Sequence, residues 1–133
     1  MIILIICCPI FFLNTIRDKS NNNIYLHFTN LIKNPIGVSI IMPIYNREKY
    51  LNRSFNSLFT QTYQNFEIIA IDDFSKDKSL NFVLEKMKFD SCIKSDQHFY
   101  NQKTLASCNN GVIESRGEYI MSLDSDDQFS MML

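Results

Sequence analysis

Strong charge of either sign is missing from this chain. Its formal net charge is −1 over 133 residues, which removes the basic field that a nucleic-acid polymer would require and leaves no long-range steering toward a charged partner. Paired-cysteine spacing is missing too. Cys7, Cys8, Cys92 and Cys108 form no CxxC motif and have no histidine at metal-ligand distance. Two of the four stand in an apolar leader, which argues against a disulfide framework and for a reduced compartment. His27 and His98 are isolated and read as surface or loop histidines. No apolar run is long enough to cross a bilayer. The run that starts at Met1 and breaks after Leu13 would reach ~20 Å as a helix, against a hydrocarbon core of ~30 Å. It also lacks the basic n-region and small-residue cleavage site of a signal peptide.

What is present is globular: 46% hydrophobic and 20% charged residues, enough for one modest domain with a core. The chain divides in two. Residues 1–35 are an apolar leader followed by a linker with the run Asn21-Asn22-Asn23, closed by Asn34-Pro35. The leader allows weak membrane association, and Arg17 and Lys19 after it would then keep the rest of the chain on the cytoplasmic side. Adjacent Cys7 and Cys8 are acylation candidates only in that setting. The alternative is an untidy N-terminus or a misplaced start codon. Set off by its polar linker, the leader is expected to pack little on the domain, and the expected location is cytoplasmic or the cytoplasmic face of a membrane.

Residues 36–133 alternate strand and helix signals. Val38-Ser39-Ile40-Ile41-Met42 is a β-branched run ending at Pro43, of the type found in buried parallel strands. Leu51, Phe55, Leu58 and Phe59 then recur at helical spacing, with Asn46 as a cap near the start. Phe66 to Ile71 is a second strand that stops at Asp72-Asp73. Leu80, Val83, Leu84 and Met87 make a second helical stripe. Of the two weaker strand candidates, Cys92-Ile93-Lys94 and His98-Phe99-Tyr100, one at most is expected. Leu105, Cys108, Val112 and Ile113 mark a third helix, closed near Arg116 and Gly117. Tyr119 to Leu123 is the last strand. The alternation predicts a Rossmann-like α/β fold, a parallel sheet with helices on both faces.

Parallel strands direct their carboxyl ends to one edge, where open α/β sheets bind ligands. Three strand ends there carry polar groups: Tyr45-Asn46, Asp72-Asp73, and Asp124-Ser125-Asp126-Asp127. The last places three carboxylates within four positions. Like charges so close oppose one another's ionisation, and hard oxygen ligands of this kind suit Mg²⁺ or Mn²⁺. Asp72 and Asp73 have the chemistry to accept hydrogen bonds from a base N–H or from ribose hydroxyls. Alone, each acidic pair also reads as a helix cap; together on one edge they read as a site.

Four blocks in order, Val38 to Arg47, Gln61-Thr62-Tyr63, Phe66 to Ser75, and Gly117 to Asp127, resemble the family-2 glycosyltransferases. The resemblance implies a GT-A fold and inverting transfer from a nucleotide-sugar donor, commonly a UDP-sugar, assisted by Mn²⁺ or Mg²⁺. It implies that Pro43, Tyr45 and Asn46 line a nucleoside pocket. Asp72 and Asp73 would hold base and ribose, and Asp124 and Asp126 would serve ribose and metal as a DXD-type motif, with Asp126 as the direct metal ligand. Two departures stand out. The family's Asn-x-Gly reads Asn101-Gln102-Lys103 here, and its Ala-Arg-Asn-x-Gly reads Ser107-Cys108-Asn109-Asn110-Gly111, with Lys103 and Arg116 as the available substitute cations. The family's acceptor half and general base would lie beyond Leu133, six residues after Asp127, so the sequence reads as a donor half truncated after the aspartate motif, with an unknown acceptor.

Two other readings compete. A non-catalytic nucleotide-sugar-binding remnant would share every feature except turnover. A phospho-receiver domain also has an acidic pair and a later strand-end aspartate, here Asp72, Asp73 and Asp124, but its pair ends the first strand of the domain. Here a full strand and helix come first.

Overall fold

The computed structural model describes residues 36–129, together with the backbone of two short strands, β1 (Ile3–Ile5) and β2 (Phe12–Asn14). The order that follows is β3 (Val38–Ile44), α1 (Glu48–Phe59), β4 (Phe66–Asp72), α2 (Ser79–Phe89), β5 (Ile93–Gln97), α3 (Lys103–Glu114) and β6 (Tyr119–Ser122). The six strands form one sheet in the order β2-β1-β6-β3-β4-β5. From β6 through β5 every pairing is parallel, with Val38 opposite both Phe66 and Tyr119, and Ile68 opposite Ile93. The α/β parallel sheet expected from the strand–helix alternation is present.

β3 and β4 are buried along nearly their whole length, as strands covered by helices on both faces must be. One face carries Ile40, Met42, Ile44, Ile68 and Ala70, which join Phe55 and Leu58 of α1 and Val83 of α2 in a single core cluster. Phe82 meets Phe55 edge-on at 5.7 Å between ring centroids. In α2 it takes the covering place expected for Leu84, which is 44% exposed.

The other face receives α3, on a stripe that shares only Cys108 with the one expected. Ser107, Cys108 and Gly111 are its buried residues, while Leu105 and Ile113 are 74% and 77% exposed. The reason is distance. A Cβ on Gly111 would lie 2.4 Å from Ile41 Cγ2, so the helix axis approaches the sheet more closely than a leucine stripe permits. α3 also ends at Glu114, before Arg116.

Arg116 is used elsewhere. Glu67, 2% exposed, accepts hydrogen bonds from the Ser39 hydroxyl (2.7 Å), the Arg116 backbone N–H (2.8 Å) and the Arg116 guanidinium (3.1 Å), and Lys94 Nζ lies at 3.0 Å. Burial works to raise this carboxyl's pKa. The hydrogen bonds from Ser39, Arg116 and Lys94 outweigh it and hold Glu67 below the ordinary carboxylate range. One anion thus ties β3, β4, β5 and the turn into β6 together at the amino side of the sheet.

At the backbone level the leader joins the sheet instead of standing apart: Ile3 is opposite Ile120 in parallel, and Phe12–Asn14 runs back antiparallel on Ile3–Ile5. A β6 edge left bare would expose a row of unpaired amides and carbonyls, which a short apolar run can satisfy. Cys7, Cys8, Arg17, Lys19, His27 and the Asn-rich linker lie outside the described residues. Among the described residues no helix is long and apolar enough to cross a membrane.

Candidate functional site

The site is built at the carboxyl edge of the sheet, where the segments that follow β3, β4 and β5 each hold a residue with a left-handed backbone. Asn46 (φ 53°) follows β3, Phe74 (φ 66°) follows β4, and Lys103 (φ 73°) closes the loop that follows β5. Asparagine tolerates this region and bulky residues do not. Lys103 therefore stands, at a strain cost, where the Asn-x-Gly pattern has glycine.

The first two turns brace each other. The Asn46 N–H donates to Ser75 Oγ (3.0 Å), and Asn46 Oδ1 accepts from the Lys76 N–H (2.7 Å). The Arg47 N–H donates to Ser79 Oγ (2.8 Å), the Glu48 N–H to Asp77 Oδ2 (3.1 Å), and the Lys78 N–H to Glu48 Oε2 (3.2 Å). Asn46 is therefore not the cap of α1, as its position suggested; its side chain caps the neighbouring turn. The Glu48 amide at the start of α1 and the Lys78 amide at the cap of α2 are satisfied across the gap between the helices, and the Ser79 N–H is satisfied locally by Asp77 Oδ1. Asp77 feels burial, which raises its pKa, but the Ser79 hydroxyl and the Ser79 and Glu48 amides hold it below the ordinary carboxylate range.

Asp72 and Asp73 diverge although adjacent. Asp72 is buried: its Oδ2 accepts from the Ser75 N–H (3.0 Å) and lies 3.5 Å from Gln97 Nε2, while its Oδ1 has no partner. Asp73 organises the loop after β5. Its Oδ1 accepts from the Gln102 N–H (2.6 Å) and lies 2.8 Å from His98 Nδ1, and its Oδ2 accepts from the Lys103 N–H (2.8 Å). His98 Nε2 lies 2.7 Å from Asn110 Nδ2. His98 is thus a loop histidine, one of the two placements expected, but a buried member of the site's frame and not a surface residue. Its exposure is 4%, and an imidazole can be buried there because both ring nitrogens are partnered. Asn101 donates to the Asp73 carbonyl at 3.4 Å and has a buried Oδ1 without a partner.

The aspartate turn is held by α1. Arg53 donates to the Asp126 carbonyl (2.7 Å), and Ser54 Oγ is within hydrogen-bond reach of the carbonyls of Ser125 (2.9 Å) and Asp127 (2.5 Å). Ser57 Oγ accepts from the Phe129 N–H (3.1 Å). Nothing in the sequence marks Arg53 for this role. The available signal was a buried-side serine, Ser54, inside an otherwise apolar stripe.

A cleft of about 220 Å³ opens between these turns and is lined by Pro43, Tyr45, Arg47, Asp73, Asp124 and Asp126, with Thr104 and Ser107 from α3. Of the sequence candidates, Pro43, Tyr45, Asp73, Asp124 and Asp126 share this cleft. Asn46 and Asp72 are behind it, as supports. Arg116, one of the two proposed substitute cations, is on the Glu67 network, and the position of the family's helix arginine is Cys108, buried 3.8 Å from Ser122 Oγ. The Asp126 carboxylate pairs with Arg47 Nε at 3.3 Å. Among the described residues no three His, Cys, Asp or Glu side chains converge as a preformed metal centre.

A parallel sheet with a polar cleft at its carboxyl edge defines an α/β protein of the ligand-binding, doubly wound type. Residues 39–132 match the family profile described as Glycosyl transferase family 2. An uncharacterized glycosyltransferase of Haemophilus influenzae is 44% identical over 90 residues, covering 68% of this chain and 36% of that protein. Crystallised S. aureus TarS 1-349 in complex with UDP-GlcNAc superposes with a TM-score of 0.62 at 32% identity, over 69% of this chain and 27% of that one. The mannosyltransferase PcManGT from Pyrobaculum calidifontis, solved with GDP-Man and Mn²⁺, gives a TM-score of 0.66 at 18% identity, over 71% of this chain and 28% of that one, and shares the fold. The chain belongs to glycosyl transferase family 2, and it spans about a third of the length of the curated relative.

Proposed function

We propose that residues 36–133 form the donor-binding half of an inverting glycosyltransferase and take a nucleoside-diphosphate sugar, a UDP-sugar first, in the cleft at the carboxyl edge. The observation that carries this reading is the convergence of Pro43, Tyr45, Asp73, Asp124 and Asp126, from three separate strand ends, on one cleft. Tyr45, 45% exposed, offers a ring for stacking on a base. Asp73 Oδ2 carries a single protein hydrogen bond and can accept another from a base or ribose donor. The unpartnered acceptors Asp72 Oδ1 and Asn101 Oδ1 sit in the frame of the same turn, where a buried acceptor without a donor is costly. That the TarS complex holds UDP-GlcNAc is in keeping with this choice of ligand.

Asp126 and Asp124 suit a divalent cation of a particular kind. Mg²⁺ and its analogues are usually held by one or two carboxylates plus substrate phosphates, not by an all-protein cage. Two cleft carboxylates without a third ligand fit an ion that arrives with the diphosphate. Such an ion supplies Lewis-acid stabilisation of the leaving diphosphate. The chain's own residues then bind the nucleoside and orient the sugar toward the acceptor side. Activation of the acceptor hydroxyl falls, in this reading, to residues outside 36–129. Weak membrane association through the leader, and action at the cytoplasmic face, belong to the same proposal.

Titration calorimetry of the full chain with UDP-, GDP- and TDP-sugars, with and without Mn²⁺, tests the reading. UDP-sugar binding strengthened by Mn²⁺ is expected in the parent, with the Mn²⁺ gain lost in Asp126→Ala. Absence of binding by any of the three would leave the chain a non-binding remnant of the family.

A further inference from the structure

Of the ten side chains that line the cleft, three are carboxylates (Asp73, Asp124, Asp126) and one, Arg47, is cationic. A diphosphate entering such a surface meets net repulsion unless a cation faces it. The helix position where the family pattern has arginine is Cys108, buried away beside Ser122, and Arg116 is committed to Glu67 on the far side of the sheet. Arg47 is thus the cleft's own positive charge, and the way it is held suits exchange. Its backbone is fixed: the N–H donates to Ser79 Oγ at 2.8 Å and the carbonyl accepts from the Tyr50 N–H at 2.8 Å. Its head is not. The guanidinium makes one contact to Asp126 Oδ2 from Nε at 3.3 Å, and Nη1 reaches the Tyr45 and Asn46 carbonyls at 3.3 Å each. Both partners of the ion pair are about 40% exposed, at 40% and 43%. A single, non-bidentate pair with that much solvent contributes little and is readily displaced. A guanidinium matches a phosphate far better, through its two-pronged N–H geometry.

We propose that Arg47 is the donor-diphosphate residue of this cleft, exchanging the Asp126 carboxylate for phosphate oxygens when a divalent cation takes that carboxylate. The inference rests on the donor-binding reading and adds to it the residue that reads the phosphates. It also gives Asp126 two competing partners, a guanidinium and a metal ion.

The test uses the full chain as parent, Arg47→Ala and Arg47→Lys, titrated calorimetrically with uridine and with UDP in the presence of Mn²⁺. Mn²⁺ alone is then titrated against each protein and followed by its electron paramagnetic resonance signal. Arg47→Ala should weaken UDP about tenfold or more while leaving uridine affinity unchanged, since it removes a charge-assisted phosphate contact and no nucleoside contact. Arg47→Lys should fall between, restoring charge without the fork. Free Mn²⁺ should bind Arg47→Ala at least as well as the parent, because the carboxylate is released. Equal UDP affinity in Arg47→Ala and parent, with uridine binding intact, would overturn the assignment and leave the donor reading standing. Equal loss of uridine and UDP would overturn it by making Arg47 merely structural. A parent that binds neither nucleotide would remove the donor reading and this inference with it.

Discussion

His98 Nδ1 lies 2.8 Å from Asp73 Oδ1, and the ring's other nitrogen lies 2.7 Å from the Asn110 amide. The Nδ1–H tautomer satisfies both contacts: the ring donates to Asp73 and accepts from Asn110. Through this pair, β4, the loop after β5 and the middle of α3 share one buried polar junction, and Asp73 is aimed from it into the cleft. His98→Ala should cost about 2–4 kcal/mol, combining a cavity with the loss of a buried donor. Urea denaturation measures it. A cost within experimental scatter would mean that the ring is not holding the carboxylate.

Lys103 has φ 73° and its N–H donates to Asp73 Oδ2. The backbone conformation is needed and the side chain is not. Lys103→Gly should stabilise the chain by about 0.5–1 kcal/mol, the relief of left-handed strain less the added freedom of the unfolded glycine. A shift of the urea midpoint to lower concentration would show that the left-handed turn is not populated.

Gly111→Ala should destabilise. Its Cβ would meet Ile41 Cγ2 at 2.4 Å, and a sheet–helix interface gives way only by moving the helix or forcing Ile41 off its rotamer. About 1–3 kcal/mol is expected, even though alanine is the better helix former by about 1 kcal/mol. A rise in melting temperature would contradict the close approach of α3 to β3.

Ser54 holds the carbonyls of Ser125 and Asp127, so it positions the aspartate turn without touching ligand. Ser54→Ala should lower stability by about 1–2 kcal/mol and weaken UDP severalfold in Mn²⁺, with uridine affinity kept. Calorimetry with both nucleotides separates this from a general loss of fold, which would weaken the two alike.

Acid should act through Glu67. Its folded pKa is below its ordinary value of 4.5, so its hydrogen bonds contribute their full stability above that pH. The contribution is lost as pH falls toward the folded value. Melting temperatures from pH 7 to pH 3 should therefore drop below about pH 4.5 in the parent. Glu67→Gln, less stable at pH 7, should show a flatter acid limb. Parallel acid limbs would remove Glu67 as a source of the acid sensitivity.

Much of this protein is legible in its sequence. The β-branched runs at Val38, Phe66 and Tyr119 and the stripe of Leu51, Phe55 and Leu58 report local periodicity. Local periodicity with alternating elements admits few topologies. Strand ends at Pro43, Asp72 and Leu123 followed, and with them the edge on which any ligand would sit. What tertiary structure alone decided is which member of each pair faces the cleft and which supports it. Asp73 lines the cleft and Asp72 stands behind; Tyr45 lines it and Asn46 braces the next turn. No one-dimensional pattern separates such neighbours, because the choice depends on partners 25 to 30 positions away, such as Asp73 with His98 and Asn46 with Lys76. The same holds for α3, whose apolar stripe pointed to Leu105 and Ile113 as well as Cys108, while the sheet accepted Cys108 with Ser107 and Gly111. Hydrophobicity chooses a face only when the distance between helix and sheet leaves room for it, and that distance is a property of the packed molecule.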